Sequence, residues 1–167
     1  MDIKEIIKSQ YRAVLTMLGE AIAKCPDALW DDLEAKQRFW HIAYHTLFFT
    51  HLYLQVDGEA FVPWSKHRNE HQFFESVPWA PHKAVKIGDP YTKVELLEYL
   101  AVCQKEVEEK VTSLDLDAAS GFDWLSFNKL ALQFYNIRHI QHHTGQLDDR
   151  LRIKADIGIR WVGARQE

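Results

Sequence analysis

Two histidines four residues apart, His139 and His143, are the first residues of this chain whose types and spacing could do chemistry. On a helix, residues at this spacing share one face, with their Cβ atoms about 5–6 Å apart. Histidine is the commonest protein metal ligand, so two such imidazoles could chelate one ion. By themselves they are equally consistent with two ordinary histidines that hydrogen-bond to their neighbours.

A second pair at the same spacing, His41 and His45, strengthens the metal hypothesis. His45 lies in a strongly apolar segment, and a buried imidazole needs partners for both ring nitrogens. A metal ion and a hydrogen-bond acceptor would satisfy both. We expect His41, nearer the start of its helix, to be more exposed, and His51 to lie on a different face.

Other chemistries find little support in the sequence. It contains no Glu-x-x-His of a di-iron bundle, no His-Glu-x-x-His, no cysteine pair spaced for zinc, no Gly-rich phosphate loop and no Gly-x-Ser-x-Gly elbow. A Ser/His/Asp triad is left open. The net charge is -4 and no basic cluster stands out, which argues against nucleic acid as a partner.

Apolar residues at helical spacing predict the elements that position these histidines. The four predicted helices span Ile3–Ala23, Ala35–Gln55, Lys93–Ser113 and Phe127–Ile153. Thr92 and Glu95 predict a capping box, and Ser126 a further cap. No alternating strand pattern precedes the tail 157–163, which we expect to pack as an extended segment. The sequence therefore predicts an all-α four-helix bundle that forms a single domain over residues 1–167.

The connection from Val56 to Tyr91 is far longer than a typical loop and rich in Pro and Trp. Such a segment packs on the bundle or serves as a lid over a site, and Ser65–Ser76 is predicted to form a short helix within it. Cys25 and Cys103 are too few for a disulfide scaffold and are expected to be reduced and partly buried. Without a signal-peptide or membrane-span pattern, a cytoplasmic location is predicted.

Two motifs resemble the DinB-like bundles. The segment Arg138–Leu147, which reads RHIQHHTGQL, is similar to the last-helix signature of that family, a His-x-x-x-His followed by a small residue or Arg and then Gly. The segment Trp40–Phe48 resembles the second-helix segment that supplies a third histidine. This sequence has Thr144 where the family often has Arg, which removes a cation near the site. Helix order, the long second connection and the length also agree, so the resemblance covers nearly the whole chain.

The resemblance implies a site for one divalent transition metal, zinc or nickel most readily, with His45, His139 and His143 as ligands. It also implies frequent homodimers. Some relatives are transferases or isomerases that use a low-molecular-weight thiol such as mycothiol or bacillithiol, and many have no known activity. Despite the family's name, it implies no DNA binding.

Two functions follow from such a site. As an enzyme, the chain would act on a small molecule, because open metal positions can lower the pKa of a bound water or thiol or polarise a carbonyl. The reaction is then a thiol-dependent transfer or a hydrolysis. Tyr44 and His142 are merely close in sequence to the ligands, and no catalytic residue is assigned. Alternatively, the metal is a structural pin in a non-catalytic, stress-related protein. The pin would need a fourth protein ligand, and the candidates are His41, His67, His71 and His82.

Overall fold

The computed structural model describes residues 2–163, and within them the chain is mostly helical, as predicted. The helices are α1 (Ile3–Lys24), α2 (Asp27–Trp30), α3 (Phe39–Tyr53), α4 (Lys93–Ser113) and α5 (Lys129–Ala155). Two short strands, β1 (Ser76–Val77) and β2 (Ala80–Ala84), lie between α3 and α4. None of the described helices is long and apolar enough to cross a membrane.

Capping side chains mark where α4 and α5 begin. The predicted box at the start of α4 is present: Thr92 accepts from the Glu95 backbone N–H, and the Glu95 carboxylate accepts from the Thr92 N–H. The cap of α5 is Asn128, which accepts from the N–H of Ala131, so the prediction of Ser126 was wrong by two residues. Thus α5 starts later and extends to Ala155, where Asp156 adopts a left-handed conformation that ends it.

The start of α3 was predicted four residues too early, at Ala35. Residues 31–38 form turns and bends because the Asp31 carboxylate accepts hydrogen bonds from the Arg38 guanidinium (2.9 Å) and the Trp40 indole (2.7 Å). These contacts hold the segment as a loop, and α3 begins at Phe39.

The long connection differs from its predicted structure. The predicted helix Ser65–Ser76 is absent: residues 65–75 contain turns and bends, and Ser76 begins β1. Glu70, with φ of 68°, has a left-handed backbone that helices do not accommodate. The sequence shows no alternating strand pattern before the tail, yet β1 and β2 pair antiparallel around Pro78 and Trp79. Strands this short carry no alternating pattern that a sequence could display.

The long helices pack around one hydrophobic core. Helix α1 contacts α4 and α5, and α3 contacts the same two helices. At Gly19, a side-chain Cβ would lie 2.7 Å from Leu100 Cδ2, so the absence of a side chain allows α1 to approach α4 closely. The tail, residues 157–163, contains no helix or strand and buries Ile159 and Val162, as predicted.

Aromatic stacking fastens the connection to the helices. Trp64 stacks on Tyr99 of α4 with ring centroids 4.6 Å apart, and Tyr91 stacks on Tyr44 of α3 at the same distance. Tyr91 also accepts a hydrogen bond at its backbone oxygen from the Trp30 indole. The connection therefore packs on the helical core, and its middle part reaches the histidines of α3.

Candidate metal centre

The structure brings His45, His139 and His143 together. Helix α3 supplies His45, and α5, which packs against it, supplies the other two one turn apart. One ring nitrogen from each residue lies within 4.8 Å of the others. Among residues 2–163, these three form the one group of His, Cys, Asp or Glu side chains that could hold a metal ion.

The tautomers of two rings follow from their hydrogen bonds. His45 Nδ1 lies 2.6 Å from the backbone oxygen of Gln72. A carbonyl oxygen only accepts, so the ring proton is on Nδ1 and the Nε2 lone pair is free. His143 Nδ1 likewise donates to the side-chain oxygen of Gln146 at 2.8 Å, which frees its Nε2. Both rings are thus held in the form that binds metal through Nε2.

The third ring, that of His139, is poorly satisfied by the protein. Its Nε2 lies 3.1 Å from His45 Nε2. Its Nδ1 is buried and has no hydrogen-bond partner in the described part of the chain. Two nitrogens bound tetrahedrally to zinc at about 2.0–2.1 Å are separated by about 3.3–3.4 Å. The His45–His139 spacing is close to this value, although it is also a hydrogen-bond distance, and the donor set of three imidazoles within 4.8 Å of one another fits one shared divalent ion.

Burial keeps the three rings neutral. It lowers the pKa of His45 well below its ordinary value, and the neighbouring His139 and His143 lower it further. Burial lowers the pKa of His139 to about 3, and it lowers that of His143 too. Neutral imidazole is the form that binds metal, so at neutral pH no proton need be displaced from these rings.

Aromatic side chains pack against the three histidines. The Phe74 ring stacks on His45 with centroids 4.1 Å apart and meets His143 edge-on at 5.8 Å. Phe49 lies 4.8 Å from His45 and meets His139 edge-on at 5.8 Å. Because Phe74 belongs to the long connection, that connection covers the histidines on one side.

The other histidines of α3 and α5 occupy different positions. The expectation that His41 is exposed was wrong, because it is only 2% exposed and donates from Nε2 to the His71 backbone oxygen at 2.8 Å. His51 lies elsewhere, as predicted, with Nδ1 near the Tyr99 hydroxyl. His142 is exposed beside His143. The connection folds back over the first turn of α3, and this is what buries His41.

Sequence reasoning missed the groups that hold the rings. Gln146 follows His143 by three residues, a spacing that places it on the same helix face, so it could have been found. Gln72 acts through its backbone, for which a sequence carries no signal. Thr144, where the DinB-like pattern often has Arg, is fully buried, and its hydroxyl has no partner among the described residues.

Comparison with known proteins identifies no relative of this chain. No family model, no curated protein and no solved structure matches this chain. The fold and the histidine cluster define a mostly helical protein with a candidate three-histidine metal centre. Membership of the DinB-like family stays a prediction from the two motifs.

Proposed function

We propose that this chain is a DinB-like four-helix bundle that binds one zinc or nickel ion through His45, His139 and His143. We further propose that it uses the ion as an enzyme acting on a small molecule. The observation that carries the proposal is the cluster of three imidazoles, in which one ring nitrogen of each residue lies within 4.8 Å of the others and the His45 proton is held at Nδ1, away from Nε2. The contacts of α1 and α3 with both α4 and α5 support the bundle.

Three protein ligands are the number typical of catalytic zinc sites, whereas structural zinc sites typically have four. When bound, a divalent ion held by three imidazoles supplies a Lewis acid that lowers the pKa of a thiol or water or polarises a carbonyl. The chain's own contribution is to fix the rings. Gln72 and Gln146 hold the protons of His45 and His143, and Phe49 and Phe74 pack against His45.

The chain's own thiols are unsuited to be the nucleophile. Cys25 and Cys103 are free and buried, and burial raises the pKa of both, that of Cys25 to about 12. A thiolate is the reactive form of cysteine. A thiol-dependent reaction at this site therefore requires a separate low-molecular-weight thiol, and a hydrolysis requires none. We also propose that the protein is a homodimer located in the cytoplasm.

The alternative, a structural pin, needs a fourth protein ligand, and the candidate histidines are otherwise engaged. His41 donates to the His71 oxygen, His67 shares a hydrogen bond with Tyr44, and His82 is exposed in β2. His71 donates from Nδ1 to the Asn69 oxygen and accepts from Gly88 N–H at Nε2. These contacts favour three protein ligands and an open position.

Chelation separates the two functions. We expect circular dichroism to retain its helical signal in excess chelator, because the long helices bury a large hydrophobic core without the ion. Zinc should then rebind and raise the melting temperature, since it binds only the native state. Cooperative unfolding on chelation would instead support the structural pin. Thiol cosubstrates and electrophiles are then screened on the zinc-loaded protein.

A further inference from the structure

We infer that His41 is a positioning residue of the metal centre, which acts on His45 through the backbone of the connection. This inference rests on the proposed function, because it assigns a role toward the ion that His45 would bind. His41 and His45 lie one turn apart on α3 and donate to successive carbonyls, those of His71 and Gln72. The two imidazoles thus clamp one short stretch of backbone.

The two hydrogen bonds are short, and the one from His41 is buried while the one from His45 is partly buried. His41 Nε2 donates to the His71 oxygen at 2.8 Å, and His45 Nδ1 donates to the Gln72 oxygen at 2.6 Å. Because the carbonyl oxygens belong to adjacent residues, fixing the first restricts where the second can lie. The Gln72 oxygen decides which nitrogen of His45 carries the proton, so His41 influences the ligand without touching it.

Phe74 links the same two rings. It meets His41 edge-on with centroids 5.2 Å apart and stacks on His45 at 4.1 Å. The His71 side chain anchors this backbone from the other side, through its bonds to the Asn69 oxygen and the Gly88 N–H. His41 therefore helps to hold the Gln72 carbonyl and the Phe74 ring against His45.

His41 is not available as a ligand in this arrangement. Its Nε2 carries the proton that the His71 carbonyl accepts, and it does not belong to the group of three histidines that could hold an ion. Without its N–H, the buried His71 carbonyl would lose its partner and the segment would shift. Loss of a residue that orients a ligand typically weakens metal binding by about 10- to 100-fold.

The test compares two variants of His41 that carry amide side chains of different length. The side-chain nitrogen of His41→Gln can occupy the position of Nε2, whereas that of His41→Asn is too short and lies near Nδ1. The matched control is His51→Asn, a change to another buried histidine of α3 that contacts Tyr99 and Phe61 rather than the His71 and Gln72 backbone. Zinc dissociation constants and the visible spectrum of the cobalt form are measured for each variant.

We expect zinc affinity about 10- to 100-fold weaker in His41→Asn, with an altered cobalt spectrum, and both readouts near those of the unsubstituted protein in His41→Gln and His51→Asn. Equal affinity in all variants, or equal loss in both His41 variants, overturns the role of His41. Failure of the unsubstituted protein to bind zinc overturns the metal site itself, so the two failures are distinguishable.

A second measurement does not depend on how the variants fold. Histidine ring ¹⁵N spectra of the unsubstituted protein report which nitrogen carries each proton. His41 should show its proton on Nε2 before and after zinc is added, while His45 keeps its proton on Nδ1. A His41 proton on Nδ1, or a zinc-induced change that makes His41 a ligand, contradicts the inference.

Discussion

The Nε2 atoms of His45 and His139 lie 3.1 Å apart, although one residue belongs to α3 and the other to α5. Both rings are largely buried, and burial lowers the pKa of each. The His45 Nε2 lone pair accepts either the Nε2 proton of His139 or a metal ion, and the buried His139 Nδ1 has no hydrogen-bond partner among the described residues. The cost of leaving such a group unpaired is the physical basis of the metal proposal.

Replacing His45 with Ala should reduce zinc affinity by more than about 100-fold, because removing a ligand costs more than the 10- to 100-fold typical of its supporting groups. Isothermal titration with zinc measures the change. His142→Ala is the matched control, since this histidine is exposed next to His143 and lies outside the cluster. Equal affinity in the two variants would show that His45 is not a ligand.

Gln146→Leu should weaken zinc binding by about tenfold or more, because the Gln146 oxygen accepts the His143 Nδ1 proton and keeps Nε2 free. Gln146→Glu should retain or strengthen binding, since a carboxylate is the better acceptor. Gln141→Leu on the same helix is the control. Competition with a chromogenic chelator gives the dissociation constants, and a Leu variant as tight as the Glu variant contradicts the assigned tautomer.

Phe74→Ala should speed the release of bound metal to a chelator. Phe74 stacks on His45 and contacts His143, so its removal opens one side of the centre to solvent. Stopped-flow mixing of the zinc-loaded protein with excess chelator measures the rate. Phe134→Ala, a change at an exposed position on α5, should leave the rate unchanged. Identical rates in both variants would mean that the connection does not cover the path to the histidines.

The metal-free protein should lose stability as the pH falls below 6.5. Burial lowers the pKa values of His41, His51 and His139 in the folded state, so the unfolded chain binds more protons at acid pH. This penalty is absent above pH 6.5 and grows as the pH falls toward the folded-state values. For His139, with a folded pKa of about 3, it amounts to about 2 kcal/mol at pH 5.

Urea unfolding in excess chelator at pH 7 and pH 5 measures this difference in the free energy of unfolding. His139→Gln should show a smaller pH dependence, because it removes one of the groups that titrate. Carboxylates with lowered pKa values, such as Glu108, act at more acid pH and do not account for a loss between pH 7 and pH 5. Equal stability at the two pH values would contradict the neutral, buried state of these histidines.

Much of the scaffold was predictable from local signals. The spacing of apolar residues gave α1 and α4 nearly to the residue, and Thr92 with Glu95 marked the start of α4. Helix α3 was misplaced at its start because the Asp31 contacts with Arg38 and Trp40 are tertiary interactions that periodicity does not encode. The strands were not predicted, because β1 has only two residues and is too short to show an alternating pattern.

The members of the histidine cluster were predictable, but the groups that hold their rings were not. The spacing of His139 and His143, the apolar surroundings of His45 and the resemblance to the DinB-like bundles together predicted the three rings that the structure brings together. The burial of His41 depends on a backbone segment 30 residues away, which no local pattern indicates. The same segment supplies the Gln72 carbonyl, which orients His45. The part of the chain whose structure was hardest to predict from the sequence therefore orients the site.

The central claim is tested most directly by counting bound metal. The protein is purified without a metal-affinity column, loaded with zinc, dialysed and assayed by inductively coupled plasma mass spectrometry, together with His139→Ala and His143→Ala. We predict one zinc ion per chain in the unsubstituted protein and a large loss in both variants. No retained metal, or the same content in all three proteins, would contradict a metal centre at His45, His139 and His143.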